Sequence, residues 1–174
     1  MTTVRNVAFI GDGGVGKTTY INRLVNGAFE ERYNSTIGYN HRYIAGEGEL
    51  GEDASLPTRC SFNIFDFAGQ ERYGLLDQFS KEGIDIDVYF VFFQTTSKLS
   101  FKNCDNWISE IRKFQPNATI LLIESKIDEP TRKVSRSDIE EYLDKRSIIK
   151  CIRISAKTSY NRNKPFLYID LNEE

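Results

Sequence analysis

The segment from Gly11 to Thr18, which reads Gly-Asp-Gly-Gly-Val-Gly-Lys-Thr, constrains this chain more than any other stretch. It fits the pattern G-x-x-x-x-G-K-[ST] at every required position. Residues Val4–Ile10 before it predict a β-strand, and Thr18–Asn26 after it predict a helix with apolar residues at helical spacing. A strand, a glycine loop and a helix in this order turn backbone N–H groups and the positive end of the helix dipole toward one anion. An ordinary glycine turn is the alternative, and the agreement of all three parts disfavours it.

This segment, Gly11–Thr18, is called the phosphate loop below, because its pattern predicts that it holds the phosphates of a nucleotide. We expect Lys17 to reach the β- and γ-phosphates. The hydroxyl of Thr18 is expected to ligate Mg²⁺. The other predicted phosphate-binding residues are Gly13, Gly14, Val15, Gly16 and Thr19.

The composition limits the classes of protein to which the chain can belong. Its 174 residues suit a single domain spanning 1–174, and a net charge of −2 gives no indication of nucleic-acid binding. The 3 cysteines are scattered, which suits a reducing compartment and predicts no zinc site. The first strand begins almost at Met1, the longest apolar run is Val88–Phe93, and no cysteine lies near Glu174. We therefore expect no signal peptide, no membrane span and no stable lipid anchor.

Strand and helix signals alternate along the rest of the chain. The polar stretch Glu30–Asn40 and the acidic, glycine-rich segment Gly46–Asp53 predict loops. Trp107 is interpreted as a core residue, because it lies on the apolar face of a predicted helix. The pattern predicts an α/β fold with a mostly parallel six-stranded sheet, helices on both faces, and ligands at the carboxyl ends of the strands. The further predicted strands are Cys60–Phe65, Val88–Gln94, Thr119–Ile123, Ile148–Ile154 and one beginning at Arg42; the further helices are Phe101–Phe114, one starting at Ser135, and Lys164–Glu174.

A second motif, Asp66–Glu71, follows a predicted strand directly. The Asp66 carboxylate can hold Mg²⁺ through a water molecule, and the N–H of Gly69 can meet a γ-phosphate. Gln70 can orient a water molecule for in-line attack on that phosphate. Taken alone, an aspartate at the end of a strand is more often a turn or cap residue, but the phosphate loop favours the metal role.

Thr36 and Phe29 are candidates in the polar region after the first helix. Thr36 can close over the γ-phosphate and offer Mg²⁺ a second hydroxyl; its alternative role is that of a solvated loop threonine. Phe29 can form an edge-on wall for the base or a core contact, and both roles stay open.

Two short motifs after later strands predict which base is bound. The Asp128 carboxylate can accept hydrogen bonds from the N1–H and N2 amino groups of guanine, a donor pair that adenine lacks. The stem of Lys126 can lie on the purine, and Ser125 opens this motif. The second motif is Ser155, Ala156 and Lys157, where a backbone N–H can meet guanine O6. Each motif is weak alone, but all the motifs in the expected order predict a guanine nucleotide, GTP or GDP.

With these motifs in place, the chain resembles the Ras-like small GTPases over essentially its whole length, and most closely their Ran branch. The resemblance implies a switch that binds GTP or GDP with Mg²⁺ and hydrolyses GTP slowly. It also implies an exchange factor, a GTPase-activating protein and importin-β-like receptors as partners, a monomeric state, and a location in cytoplasm and nucleus. The segments that carry the Ran likeness are Lys102–Asn103, Asn106–Trp107, Arg132–Val134 and Lys164–Leu167.

The chain also departs from the family pattern. Ser125 stands where the family's base motif begins with Asn, and a shorter side chain predicts weaker nucleotide binding. Phe67 replaces a small polar residue, Tyr39–His41 differs from the usual sequence, and the acidic tail of Ran is absent after Glu174. Two alternatives therefore stay open: a Rab-like trafficking GTPase, and a decoy or scaffold that holds the nucleotide but scarcely hydrolyses it.

Overall fold

The computed structural model describes residues 3–27, 29, 38–45, 60–69, 77, 81 and 83–171. This part of the chain contains six strands and four helices. The strands are β1 Thr3–Gly11, β2 Tyr39–Ile44, β3 Cys60–Phe67, β4 Val88–Gln94, β5 Thr119–Ser125 and β6 Lys150–Arg153. The helices are α1 Lys17–Asn26, α2 Lys98–Phe114, α3 Arg136–Arg146 and α4 Lys164–Leu171.

The six strands form one sheet in the order β2-β3-β1-β4-β5-β6. β2 runs antiparallel to β3, and every other neighbouring pair is parallel. This confirms the predicted fold class. Because β1 pairs with β3 on one side and β4 on the other, the loop after β1 lies where the strand order reverses, which is the usual ligand position in such sheets.

Helices cover both faces of the sheet and bury a hydrophobic cluster on each. On the face covered by α1 and α4, the ring of Phe9 lies 5.2 Å, between centroids, from both Phe90 and Phe92. On the face covered by α2 and α3, Trp107 is only 6% exposed, which confirms its predicted place in the core. Because β4 is covered on both faces, its residues Val88–Phe93 are all buried, as its continuous apolar sequence predicts. The carboxyl ends of the central strands are thereby held at fixed positions.

The structure moves several predicted boundaries and confirms the start of one helix. β3 continues through Asp66 to Phe67, past the predicted end at Phe65, because both residues pair with β2. β2 begins at Tyr39 rather than Arg42, because Tyr39 pairs with Phe67 across the sheet and their ring centroids lie 5.9 Å apart. β6 is shorter than the predicted Ile148–Ile154. Ser135 does cap α3, since its hydroxyl accepts a hydrogen bond of 3.1 Å from the N–H of Asp138.

None of the helices within the described ranges has both the length and the apolar character needed to cross a bilayer. The predicted loop at Gly46–Asp53 and most of the one at Glu30–Asn40 lie outside those ranges.

Candidate functional site

The phosphate loop connects β1 to α1 through backbone conformations that favour glycine. Gly11 has a φ of 145°, and a Cβ atom there would lie 2.5 Å from the carbonyl oxygen of Phe92 on the adjacent strand. Gly16 has a φ of 98° and precedes α1, whose first turn contains no acidic residue. Because Gly16 offers no side-chain cap, the first N–H groups of α1 keep their capacity to bind an anion.

Lys17 is folded back across this loop. Its side chain is buried, at 5% exposed, and its ammonium donates to the carbonyl oxygens of Gly11 at 2.7 Å and Asp12 at 2.9 Å. Burial lowers the pKa of Lys17 to about 8, and the nearby charges of Asp66 and Asp12 limit that decrease. A cation held inside a loop of backbone groups can exchange these carbonyl contacts for phosphate oxygens.

Thr18 and Asp66, predicted from separate motifs, meet in the structure. The Thr18 hydroxyl donates to Oδ2 of Asp66 at 2.5 Å, while Oδ1 of Asp66 is buried and has no hydrogen-bond partner among the described residues. Burial raises the pKa of Asp66, and the Thr18 hydrogen bond and the Lys17 charge oppose that rise. The hydroxyl of Thr18 and the carboxylate of Asp66 therefore place oxygen atoms side by side. Two such hard oxygen donors fit Mg²⁺.

Gly69 brings the second motif against the phosphate loop. A Cβ atom on Gly69 would lie 2.2 Å from the backbone nitrogen of Gly13 and 2.3 Å from the carbonyl carbon of Asp12, so only glycine fits.

Two of the predicted site residues, Thr36 and Gln70, lie outside the described residues, and their roles stay predictions. Phe29 is described, and its side chain is half-buried just after the end of α1.

Ser125 links the base motif to the phosphate loop. Its hydroxyl lies 2.5 Å from the carbonyl oxygen of Val15 and 3.0 Å from that of Phe93, and the side chain is 4% exposed. A hydroxyl has one proton, so it donates to one of these carbonyls at a time. Although serine is shorter than asparagine, it reaches the phosphate loop directly.

Lys126 makes a second link between the same two segments. Its ammonium donates to the carbonyl oxygen of Gly14 and to Oε1 of Gln94, both at 2.7 Å. Partial burial lowers the pKa of Lys126, whereas the charges of Glu129 and Asp128 act to raise it. Because the ammonium bonds to Gly14 and Gln94, the aliphatic stem of Lys126 crosses the edge of the phosphate loop, where a purine bound above the loop would contact it.

The two remaining base-binding segments also contact each other. Ser155 donates from its hydroxyl to Oδ1 of Asp128 at 2.6 Å, and the N–H of Thr158 donates to the same hydroxyl at 3.0 Å. Asp128 is exposed, so a ligand can approach its carboxylate from solvent. Ala156 is half-buried and Lys157 is exposed, directly after Ser155. The structure therefore brings together the predicted residues of both base motifs.

No sequence pattern predicted the two hydrogen bonds that orient the phosphate loop. Asp12 turns toward α2, where its carboxylate accepts hydrogen bonds from Asn103 Nδ2 at 2.7 Å and Trp107 Nε1 at 2.9 Å. Trp107 is therefore an anchor for the loop as well as a core residue. The residue types themselves were a signal for this contact. An aspartate in a phosphate-binding loop needs hydrogen-bond donors on the side away from the anion, and a buried indole N–H needs an acceptor.

Comparisons with known proteins agree with this geometry. The model of the Ras family matches residues 6–172, which include the phosphate loop, the Asp66 motif and both base motifs. The chain is also similar to a protein of Encephalitozoon cuniculi named GTP-binding nuclear protein GSP1. The two are 35% identical over 175 residues, which cover 94% of this chain and 73% of that protein.

Proposed function

Because this chain belongs to the Ras family of small GTPases, we propose that it is a Ran-like switch that controls nucleocytoplasmic transport receptors. Members of this family bind GTP and hydrolyse it, so the chain is a GTPase. The main structural support for this proposal is a direct connection between two parts of the site. Ser125 and Lys126 both bond to the phosphate loop, so the phosphate-binding and base-selecting groups form one continuous site.

We assign the phosphates of GTP or GDP to the phosphate loop and the guanine to the segments after β5 and β6. The ammonium of Lys17 would neutralise charge on the β- and γ-phosphates, and Gly69 would donate its N–H to the γ-phosphate. Asp128 would accept from the base, and Phe29 would form its wall. The remaining phosphate and base contacts are assigned to Gly13, Gly14, Val15, Gly16, Thr18, Thr19, Lys126, Ser155, Ala156 and Lys157.

Thr18, Asp66 and Thr36 would hold Mg²⁺ at this site. The assignment is supported by Oδ1 of Asp66, which is buried and has no hydrogen-bond partner within the described part of the chain, because a bound cation would offset the cost of burying the carboxylate. When bound, Mg²⁺ supplies charge neutralisation between the β- and γ-phosphates. The hydroxyl of Thr18, which donates to Asp66, would supply a second oxygen donor to the ion.

Hydrolysis at such a site depends on positioning and electrostatics rather than covalent chemistry. Gln70 would orient the attacking water, and Lys17 would stabilise the charge that develops on the phosphates. Intrinsic hydrolysis in this class is slow, and an activating protein raises the rate by about 10³–10⁵-fold. An exchange factor and importin-β-like receptors complete the set of proposed partners, and the proposed location is cytoplasm and nucleus.

Two features that suggested a decoy have packing explanations. Ser125 reaches the phosphate loop, so this link between the two parts of the site is kept. Phe67 is 3% exposed and packs against Tyr39, so it fills the core at the end of β3. Both residues therefore have a place in the fold that is compatible with nucleotide binding, and the hydrolysis assay below separates the active GTPase from a decoy.

The proposal is tested by identifying the nucleotide released on denaturation and by single-turnover hydrolysis. Gln70→Leu is expected to keep GTP affinity and to lower hydrolysis in the presence of an activating protein by at least about 10³-fold. Chromatography of the released nucleotide should show GDP or GTP. Normal stimulated hydrolysis by the variant would contradict the role of Gln70, and a protein that neither carries nor loads a guanine nucleotide would refute the proposed function.

A pull-down against importin-β tests the transport role. Binding that is stronger in the GTP state than in the GDP state supports the Ran-like assignment. Equal or absent binding in both states favours the Rab-like alternative.

Ser125→Ala tests the link between the base motif and the phosphate loop. Loss of one buried hydrogen bond of about 1 kcal/mol is expected to speed GDP dissociation by about 5–10-fold. The measurement is release of a fluorescent GDP analogue, with Ser137→Ala, exposed on α3, as the matched control. Equal release rates for wild type and Ser125→Ala would show that the hydroxyl does not stabilise the bound state.

A further inference from the structure

Glu124, directly before the base motif, is a fully buried carboxylate with three partners. It is 0% exposed, and glutamate is almost never fully buried unless it is paired. Oε1 accepts a hydrogen bond of 2.7 Å from the Thr95 hydroxyl and lies 2.9 Å from Nη2 of Arg132. Oε2 accepts a hydrogen bond of 3.0 Å from Nε of Arg153. We call these four residues the Glu124 cluster.

The members of the Glu124 cluster come from the carboxyl ends of three neighbouring strands. Thr95 directly follows β4, Arg132 lies between β5 and α3, and Arg153 is the last residue of β6. Glu124 itself is the penultimate residue of β5, between the other two strands. A single carboxylate therefore joins the segments that follow these three strands.

Backbone hydrogen bonds connect the same segments. The N–H of Thr95 donates to the carbonyl of Ser125 at 3.0 Å, and the N–H of Lys133 donates to the carbonyl of Thr95 at 2.9 Å. The N–H of Ile154 donates to the carbonyl of Glu124 at 2.8 Å. The side-chain cluster and the backbone bonds thus hold one another in place.

Apart from Phe29, the groups assigned to the guanine lie within four residues of a member of the Glu124 cluster in sequence. Lys126 and Asp128 lie between Glu124 and Arg132. Ser155, whose hydroxyl donates to Asp128 at 2.6 Å, lies two residues after Arg153. A displacement of either arginine would therefore move the carboxylate that reads the base.

From these contacts we propose that Glu124 is a positioning residue for guanine recognition. Through Arg132, Arg153 and Thr95 it holds Asp128 and Ser155 in the geometry that reads the purine; this inference rests on the proposed function. Stability alone does not require such a cluster, because well-packed apolar side chains in place of buried ion pairs are often equally stable or more so.

The test compares GDP with IDP, whose base lacks the 2-amino group. Glu124→Gln keeps the volume of the side chain and removes its charge. If Asp128 shifts, the variant loses the contact with the 2-amino group, and the ratio of the IDP to the GDP dissociation constant falls by about fivefold or more. A general loosening of the site would weaken both nucleotides by the same factor. Both dissociation constants are measured by competition with a fluorescent GDP analogue.

Two partner variants and one control complete the test. Arg153→Gln and Arg132→Gln change side chains that are 35% and 29% exposed, and both should lower the same ratio. Asp105→Asn removes a carboxylate that pairs with Arg146 at 2.9 Å on the outer helices, away from the base segments, and it should leave the ratio unchanged.

The outcomes separate this inference from the proposed function. Folded variants with the wild-type ratio overturn the role of Glu124, and so does loss of folding in all three cluster variants, since that assigns the cluster to stability. The role of Glu124 is also overturned if Glu124→Gln alone fails to fold while both arginine variants keep the wild-type ratio of the two dissociation constants. A wild-type protein that binds neither GDP nor IDP refutes the proposed function itself.

Discussion

Lys17→Met is expected to lower GTP affinity by about 10³-fold, because it removes the proposed charge-assisted hydrogen bonds to the β- and γ-phosphates. The ammonium already lies within the phosphate loop, 2.7 Å from the carbonyl oxygen of Gly11. Methionine is also unbranched, with a side chain about one atom shorter than that of lysine, and it donates no hydrogen bond. Calorimetric titration with GTP and Mg²⁺ measures the loss, and the exposed Lys145→Met on α3 is the control. Unchanged affinity would refute the assigned role.

The same substitution is expected to change how stability depends on pH in the nucleotide-free protein. Lys17 has a pKa of about 8 in the folded chain, whereas the pKa of a solvent-exposed lysine is 10.5. Between pH 8 and pH 10.5, Lys17 is protonated in the unfolded state and largely neutral in the folded state. The free energy of unfolding therefore rises with pH across this range, by about 3 kcal/mol in total. Below pH 8 the full cost of burying the charged Lys17 is present, and it is relieved as pH rises.

Lys17→Met lacks this titration, so its free energy of unfolding should fall relative to that of wild type by about 3 kcal/mol between pH 7 and 10.5. Groups common to both proteins, including the buried tyrosines and cysteines, cancel in the difference. Urea unfolding at intervals across this range measures it. Parallel curves for the two proteins would show that burial does not perturb Lys17 in this way.

Asp128→Asn is expected to lower GTP affinity by about 10²–10³-fold and to raise XTP affinity. A carboxylate accepts from both N1–H and the 2-amino group of guanine, whereas an amide offers one acceptor and one donor group. Xanthine has a carbonyl oxygen in place of the 2-amino group, so the amide donor of asparagine matches it. The substitution therefore exchanges one base preference for another.

The structure indicates that this variant keeps its local fold. Asparagine retains an Oδ1 acceptor for the Ser155 hydroxyl, which donates to Asp128 Oδ1 at 2.6 Å. Calorimetry with GTP and XTP measures the change, and Asp144→Asn, exposed on α3, is the matched control. A retained preference for guanine would mean that another group reads the base.

The sequence predicted those parts of the site whose chemistry is local. The phosphate loop is recognisable because its glycine conformations, its lysine and the following helix are adjacent in the chain. Asp66, Asp128 and Ser155 were predicted because each belongs to a short motif at or shortly after the carboxyl end of a strand. Thr36 and Gln70 also came from short motifs, and they remain predictions because they lie outside the described residues.

By itself, the sequence determined the α/β class and the phosphate loop, because hydrophobic periodicity and backbone conformation depend on neighbouring residues. Only the tertiary structure decided which buried polar groups become partners. Ser125 and Val15 are 110 positions apart, and Trp107 and Asp12 are 95 apart. The Glu124 cluster likewise joins three segments. Such pairs form because the register of the sheet brings distant residues together, and no local pattern specifies that register.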